Sequence, residues 1–159
     1  NMVYIGIGSN LGNRKENIEK AKFLLDLNQI NILKFSSYYE SLSWPNQKNP
    51  KFLNIVLESD TKLAPIKLLK IFKSIENKLG RKNNVKNSPR ECDIDIISYY
   101  KHISEGNIKI PHIKMHKRNF VLIPLYEINK NWYHPKLKIS IEKLIFSLPI
   151  KDIRSIKQI

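Results

Sequence analysis

The sequence predicts an α+β sandwich of ferredoxin type, with helices on one face of a largely antiparallel sheet and a single domain over residues 1–159. Short β-prone apolar segments alternate with two segments of helical periodicity, in the order β-α-β-loop-β-α-loop-β. A length of 159 residues is enough for one domain with a substantial core. No internal repeat or low-complexity linker divides the chain.

The individual elements follow from apolar spacing and from turn residues. Strands are predicted over residues 2–7, 30–39, 52–58 and 92–99. Helices are predicted over residues 13–27 and 65–79, with short helical turns near 115–120 and 141–146. Gly8, Asn10 and Gly12 should end the first strand, while Pro65 suits the first turn of the second long helix and Gly80 its end.

Composition narrows the function classes without choosing one. The chain is 42% hydrophobic and 26% charged, with a formal net charge of +14. This surplus of positive charge favours an anionic partner, such as nucleic acid, a membrane surface or a polyphosphate. A genome whose base composition favours lysine, asparagine and isoleucine codons explains the charge equally well. No apolar run is long enough to span a bilayer, and no secretory signal is recognisable. The single cysteine, Cys92, fits a reducing compartment, so we expect a cytoplasmic protein.

The segment before and within the predicted 92–99 strand carries the main chemical signal. Alternation along a strand places Asp93 and Asp95 on one face and Cys92, Ile94 and Ile96 on the other. Two neighbouring carboxylates repel each other unless a cation lies between them, and Mg²⁺ commonly takes one or two carboxylates plus waters and substrate phosphates. The alternatives are a solvated strand face or carboxylates paired with lysines.

A basic loop precedes this strand, with Arg81 and Arg90 at its ends and Lys82 and Lys86 inside it. Arginine suits phosphate oxygens, and such a loop could close over a nucleotide; a plain solvated loop is the alternative. Glu76 lies on the apolar stripe of the preceding helix, where it is either functional or bonded to a lysine or a backbone amide.

Other patterns are weaker. Residues 6–12, with three glycines, read as a strand-to-helix turn rather than a phosphate loop, because no Gly-Lys-Ser/Thr follows. His112 could contact phosphate or relay a proton, or could be structural. The other histidines lack the spacing of zinc ligands, and no Gly-x-Ser-x-Gly supports covalent nucleophilic catalysis.

Four segments resemble the 6-hydroxymethyl-7,8-dihydropterin pyrophosphokinases, the ATP-dependent enzymes of folate biosynthesis. They cover residues 4–12, 50–54, 75–96 with its Pro-Arg-x-x-Asp-x-Asp core, and 110–128 with Pro-His followed by Arg-x-Phe. The resemblance implies transfer of a diphosphate group from ATP to the hydroxymethyl group of the pterin, with release of AMP.

The resemblance also implies roles for individual residues. Catalytic roles fall to Arg81, Arg90, Asp93 and Asp95. Two Mg²⁺ ions would bind to Asp93 and Asp95. ATP contacts fall to Glu76, Arg81, Arg90, His112 and Arg118. Pterin contacts fall to Ser41, Leu42, Trp44, Phe52, Asn54, Phe120 and Asp93.

The sequence departs from the family pattern in its loops. Asn87 stands where some members carry a tryptophan, Asn83 replaces a basic residue, and residues 40–44 stand where the family usually has Thr-Pro. The expected partners are ATP and the pterin, with no nucleic acid and no membrane, and the protein should be a monomer. The alternatives are an RNA-binding ferredoxin-like module, suggested by the charge, and a metal–nucleotide-binding protein that has lost catalysis.

Overall fold

The computed structural model describes residues 1–80 and 85–159. Its strands are β1 Met2–Ser9, β2 Asn31–Phe35, β3 Tyr39–Ser41, β4 Phe52–Asp60, β5 Asp93–Tyr99, β6 Ser104–Glu105, β7 Lys109–Ile110, β8 Tyr133–His134, β9 Ile139–Ser140 and β10 Lys157–Gln158. Its α-helices are α1 Arg14–Leu27, α2 Pro65–Lys78, α3 Asn119–Ile128, α4 Ile141–Phe146 and α5 Ile150–Ser155, and a 3-10 turn covers Met115–Lys117. No helix among the described residues is long and apolar enough to cross a membrane.

The main sheet is antiparallel at every pairing, in the order β10-β3-β4-β1-β5. β2 pairs with the far end of β4, on the same side as β3. The predicted 30–39 strand is therefore two strands, β2 and β3. The backbone N–H of Ser36, between them, donates to Val56 O while the Ser36 Oγ accepts from Val56 N–H.

One face of the sheet packs against the two long helices, as predicted. Ile5, Ile55 and Ile94 from three neighbouring strands are buried against Leu25 of α1 and Phe72 of α2. These helices begin as the sequence indicates: Asn13 caps α1 by accepting the Glu16 N–H, and Pro65 opens α2. Gly80 follows α2 with φ +114°, a conformation that favours glycine.

The opposite face carries a second core, which the prediction of helices on one face missed. Val56 and Ile97 of the sheet are buried against Leu122 and Leu125 of α3 and Leu144 of α4. This second layer covers only part of the face. The cavity described below occupies the remainder, beside β1, β4 and β5.

Candidate active site

The sheet register brings together the polar residues of the uncovered face. Gly8 of β1 pairs with Asn54 of β4 on one side and with Asp93 of β5 on the other. One step further along β1, Gly6 pairs with Asp95. Because neighbouring strands lie about 4.8 Å apart, the Asn54 and Asp93 backbones are about 10 Å apart across a glycine that has no side chain. Gly6 and Gly8 thus form the floor of a cavity between the two polar side chains.

The cavity has a volume of about 1400 Å³. Small-molecule sites are usually about 300–1,000 Å³, so there is room for two substrates. Its lysine and arginine side chains come from three segments and are Lys86, Arg90, Lys114, Lys117, Arg118 and Lys151. Its acidic side chains are Asp93, Asp95 and Asp152. The excess of positive charge suits a polyanionic ligand.

The two β5 carboxylates influence each other electrostatically. Burial, followed by the nearby Asp93 carboxylate, raises the pKa of Asp95 to about 7, and the positive charge of Arg118 opposes this rise. Arg90 Nη1 lies 3.4 Å from Asp93 Oδ1. Among the described residues no group of three or more His, Cys, Asp or Glu side chains could hold a metal. Two carboxylates without a third protein ligand fit Mg²⁺, which completes its shell with water and phosphate oxygens.

His112 enters the cavity beside this pair because its backbone N–H donates to Ile97 O at 2.8 Å, which ties it to β5. Its Nδ1 accepts the backbone N–H of Lys114 at 3.1 Å. Burial and the charge of Arg118 lower the pKa of His112 to about 4, so the ring is neutral at pH 7. A neutral ring that accepts at Nδ1 carries its proton on Nε2, and His112 can therefore donate one hydrogen bond to a ligand.

Asn54 is oriented before any ligand arrives. Its Nδ2 donates to Tyr39 O at 3.1 Å and to Ser41 Oγ at 2.9 Å. The carboxamide oxygen is left on the side of Gly8, 3.3 Å from the position a Cβ on that glycine would take. The cavity thus has a fixed hydrogen-bond acceptor at one end, beside the aromatic ring of Phe52.

The model of the 7,8-dihydro-6-hydroxymethylpterin-pyrophosphokinase family matches residues 4–130, which include every strand and loop that forms the floor of this cavity. The chain belongs to this pyrophosphokinase family. The 2-amino-4-hydroxy-6-hydroxymethyldihydropteridine pyrophosphokinase of Aquifex aeolicus is 39% identical over 96% of this chain and 89% of that protein. The enzyme of the same name from Bacillus subtilis is 38% identical over 80% of this chain and 78% of its own length.

Solved structures support the same fold. The crystal structure of wild-type Plasmodium falciparum HPPK-DHPS superimposes with a TM-score of 0.69 over 91% of this chain, at 14% sequence identity. The chain spans 44% of that longer protein. The prediction of a ferredoxin-type α+β fold is therefore confirmed, as is membership of the pyrophosphokinase family. None of these comparisons supports the RNA-binding alternative.

Most of the pyrophosphokinase residues proposed from the sequence line the cavity: Leu42, Trp44, Phe52, Asn54, Arg90, Asp93, Asp95, His112, Arg118 and Phe120. The prediction for Arg81 lies outside the described residues. Asn87, at the position of the family tryptophan, also lines the cavity, with φ +64°.

Two predicted contact residues occupy supporting positions instead. Glu76, expected to contact ATP, lies on the helix side of the sheet, where its Oε2 accepts the Ile94 backbone N–H at 2.8 Å. It thereby satisfies an amide of β5 and joins α2 to that strand. Ser41, expected to contact the pterin, is 2% exposed and orients the Asn54 amide from behind the cavity wall.

The glycine-rich segment also has a different role from the expected one. β1 continues through Gly8 to Ser9, so Gly8 does not end the strand. The N-terminus of α1 is capped by Asn13 and is not part of the cavity. Gly6 and Gly8 instead form the cavity floor, where a Cβ would be in tight contact with Ile97 at 3.3 Å and with Asn54 at 3.3 Å respectively.

Some cavity residues carried no recognised signal in the sequence. Lys114, Lys117 and Asn119 follow His112 closely and could have been included as neighbours of a basic segment. Lys151 and Asp152 belong to α5, which is brought to the cavity by hydrogen bonds from Asn119 Nδ2 to Asp152 O and Ser155 Oγ. A six-residue helix far from the other motifs offers no pattern from which this placement could be inferred.

Proposed function

We propose that this chain is an ATP:6-hydroxymethyl-7,8-dihydropterin diphosphotransferase that acts in folate biosynthesis. The observation that carries the assignment is the row Asn54–Gly8–Asp93 across three strands. This row supports the proposal because the Asn54 amide oxygen, which suits a heterocycle, and the carboxylate pair, which suits a cation-bound polyphosphate, line one cavity. The glycine between them leaves room for the hydroxymethyl group to approach the phosphates.

The pterin would bind at the Asn54 end. Its pyrimidinone edge presents N–H donors, and Asn54 offers them its Oδ1 because its Nδ2 is already bonded to Tyr39 O and Ser41 Oγ. Phe52 and Phe120 line the same cavity and supply aromatic faces for the flat ring system. Leu42 and Trp44 add apolar wall from the loop after β3.

The triphosphate would bind at the β5 end. Arg90 and Arg118 lie beside the carboxylate pair and provide planar donors for phosphate oxygens, and His112 provides its Nε2–H. Asp93 and Asp95 would hold two Mg²⁺ ions, and bound Mg²⁺ supplies charge neutralisation of the phosphates. Arg81 is assigned to the same phosphates from the family resemblance.

The reaction that these groups position is an in-line displacement. The pterin hydroxymethyl oxygen forms a bond to the β-phosphorus, the bond from that phosphorus to the α–β bridging oxygen breaks, and AMP leaves with the bonding electrons. The hydroxyl proton passes to water. Arg90 and Arg118 stabilise the charge that develops on the transferred group, which is the main requirement of phosphoryl-type transfer.

Several finer properties belong to the same proposal. We infer a single catalytic domain over residues 1–159, a monomer, a cytoplasmic location, and no nucleic-acid or membrane partner. The single buried cysteine fits a cytoplasmic location. The basic residues that line the cavity indicate that an anionic small molecule is the partner of part of the positive charge. Light scattering coupled to gel filtration measures the oligomeric state directly.

The test is the identity of the nucleotide product. Purified protein with Mg²⁺, ATP and 6-hydroxymethyl-7,8-dihydropterin should form one AMP for each pterin consumed, and none when the pterin is omitted. ADP as the sole nucleotide product, or no turnover with ample pterin, would contradict the proposal. The second outcome would favour a metal–nucleotide-binding protein without catalysis.

A further inference from the structure

Asn10, which follows β1, connects two loops that both line the cavity. Its Oδ1 accepts the backbone N–H of Arg90 at 2.8 Å, and its own backbone N–H donates to Arg90 O at 3.1 Å. Its Nδ2 donates to Pro50 O at 3.2 Å and to Ser43 Oγ at 3.3 Å. One side chain thus holds the peptide of a phosphate-side arginine and both ends of the loop that carries Trp44.

We propose that Asn10 is a positioning residue that couples the 43–50 loop on the pterin side to Arg90 on the phosphate side. This inference rests on the proposed function, which assigns the pterin to one side of the cavity and the phosphates to the other. Occupation of one side would then order the other, because a displacement of Arg90 or of the loop must be shared through the Asn10 amide.

The geometry separates Asn10 from the residues that contact substrate. The side chain is 3% exposed, and both ends of its amide are hydrogen-bonded within the protein. It therefore acts on a ligand only through the groups it holds. Ser43 Oγ also donates to Pro50 O, so the loop is closed at its base whether or not Asn10 is present. What Asn10 adds is the connection from this closed loop to Arg90.

A second contact runs between the same two segments nearer the tip of the loop, where Asn49 Nδ2 donates to Asn87 O at 3.3 Å. That contact is exposed, and exposed hydrogen bonds contribute little because water replaces them readily. The Asn10 bond to Ser43 is buried and those to Pro50 O and the Arg90 N–H are partly buried, and an unpaired group in such a place is more costly than at the surface. The buried connection is therefore the one that transmits a change from one loop to the other.

Trp44 provides a direct readout of the coupling. It lines the cavity in the 43–50 loop and is 68% exposed, whereas Trp132, the only other tryptophan of the sequence, is 6% exposed in the second core. In wild-type protein, Mg²⁺ with a non-hydrolysable ATP analogue should change the Trp44 fluorescence in the absence of pterin. In Asn10→Ala this change should be lost, although calorimetry still detects binding of the analogue.

The matched control is Asn17→Ala, which removes the same side-chain amide from the neighbouring helix. Asn17 Nδ2 donates to Leu11 O at 3.0 Å and contacts neither cavity loop. This variant should keep the Trp44 response. A full response in Asn10→Ala, or an equal loss in both variants, would overturn the proposal, since the second result would indicate a general loosening of the β1–α1 connection.

Steady-state kinetics give a second readout through a double-mutant cycle. Ser43→Ala removes one acceptor of the Asn10 amide and should raise the KM for pterin about tenfold, the size expected for a lost buried hydrogen bond. Added to Asn10→Ala, the same change should have a clearly smaller effect than it has alone, because the Asn10–Ser43 bond is already absent and only the Ser43–Pro50 bond remains to be lost. Additive effects would contradict the coupling.

The outcomes are separable from those of the proposed function. If the wild-type protein forms no pterin-dependent AMP, the proposed function fails, while the Trp44 response to the nucleotide analogue still decides whether the two loops are coupled. If Asn10→Ala does not fold, Ser43→Ala decides instead, since it should also weaken the Trp44 response. An undiminished response in Ser43→Ala would then overturn the proposal.

Discussion

Replacement of Asp95 by asparagine should remove activity and, without metal, stabilise the protein. In the folded chain burial and the Asp93 carboxylate raise the pKa of Asp95 from 3.8 to about 7. The folded state therefore retains a proton that the unfolded state loses between these values, and stability falls as the pH rises through this window. At pH 8 the ionisation of Asp95 should lower the free energy of unfolding by about 4 kcal/mol, which corresponds to roughly three pH units at about 1.36 kcal/mol per unit. Asparagine keeps the shape of the side chain without ionising.

Urea unfolding in the presence of a chelator measures this effect. Asp95→Asn should be more stable than wild type at pH 8, and its advantage should shrink by about 3 kcal/mol at pH 5, where the folded wild-type carboxyl is protonated. Pterin-dependent AMP formation should be abolished at either pH. Asp26→Asn, the same change on the exposed face of α1, should alter neither quantity. Equal destabilisation of Asp95→Asn at both pH values, or wild-type turnover, would refute the reasoning.

Three further changes test other parts of the account. Gly8→Ala should raise the KM for pterin by about tenfold or more with little change for ATP in steady-state assays, because the new Cβ would lie 3.3 Å from Asn54 Oδ1 in the space above the floor. Glu76→Ala should lower the free energy of unfolding by about 1–3 kcal/mol, since the Ile94 N–H loses its acceptor, while Glu76→Gln should lose less. Burial lowers the pKa of His134 from 6.5 to about 4, so the unfolded chain binds a proton at this residue before the folded chain does. The stability of the fold should therefore fall as the pH decreases from 6.5 toward 4. His134→Asn should make the melting temperature less dependent on pH in this range.

Each of these changes has a control and a contrary result. Gly106→Ala, which places a Cβ in open space, should leave both KM values unchanged. Equal increases of both KM values in Gly8→Ala would contradict the floor assignment. A Glu76→Gln variant as unstable as Glu76→Ala would exclude the amide bond as the cause. His102→Asn changes an exposed histidine and should keep the wild-type pH profile, whereas an unchanged profile in His134→Asn would contradict the buried-histidine account.

Local patterns in the sequence were sufficient for β1, β4, β5 and the two long helices, but they merged β2 and β3 into one predicted strand. Alternation along residues 92–96 correctly separated Asp93 and Asp95 from the core residues, because one side of β5 is fully buried. Helix α3 was predicted only as a short turn. Pro124 lies inside it, and proline in the interior of a segment normally predicts the end of a helix.

The arrangement of the site depended on information that the sequence does not display. The row Asn54–Gly8–Asp93 is a consequence of strand register, which is fixed by long-range pairing and by packing on the sheet rather than by local propensity. The supporting roles of Glu76 and Ser41 follow from which backbone and side-chain groups lie beside them in space. Residue type marked Glu76 as unusual and the family resemblance selected Ser41, but only the fold shows what each side chain holds.

The most direct test of the central claim is a crystal structure with a non-hydrolysable ATP analogue, the pterin and Mn²⁺ in place of Mg²⁺, with the cations located by anomalous scattering. We expect two cation peaks, each at about 2.0–2.3 Å from an oxygen of Asp93 or Asp95 and from a phosphate oxygen. The pterin should lie against Asn54, over Gly8. Cation peaks elsewhere, with the two carboxylates bonded only to protein groups, would contradict the account.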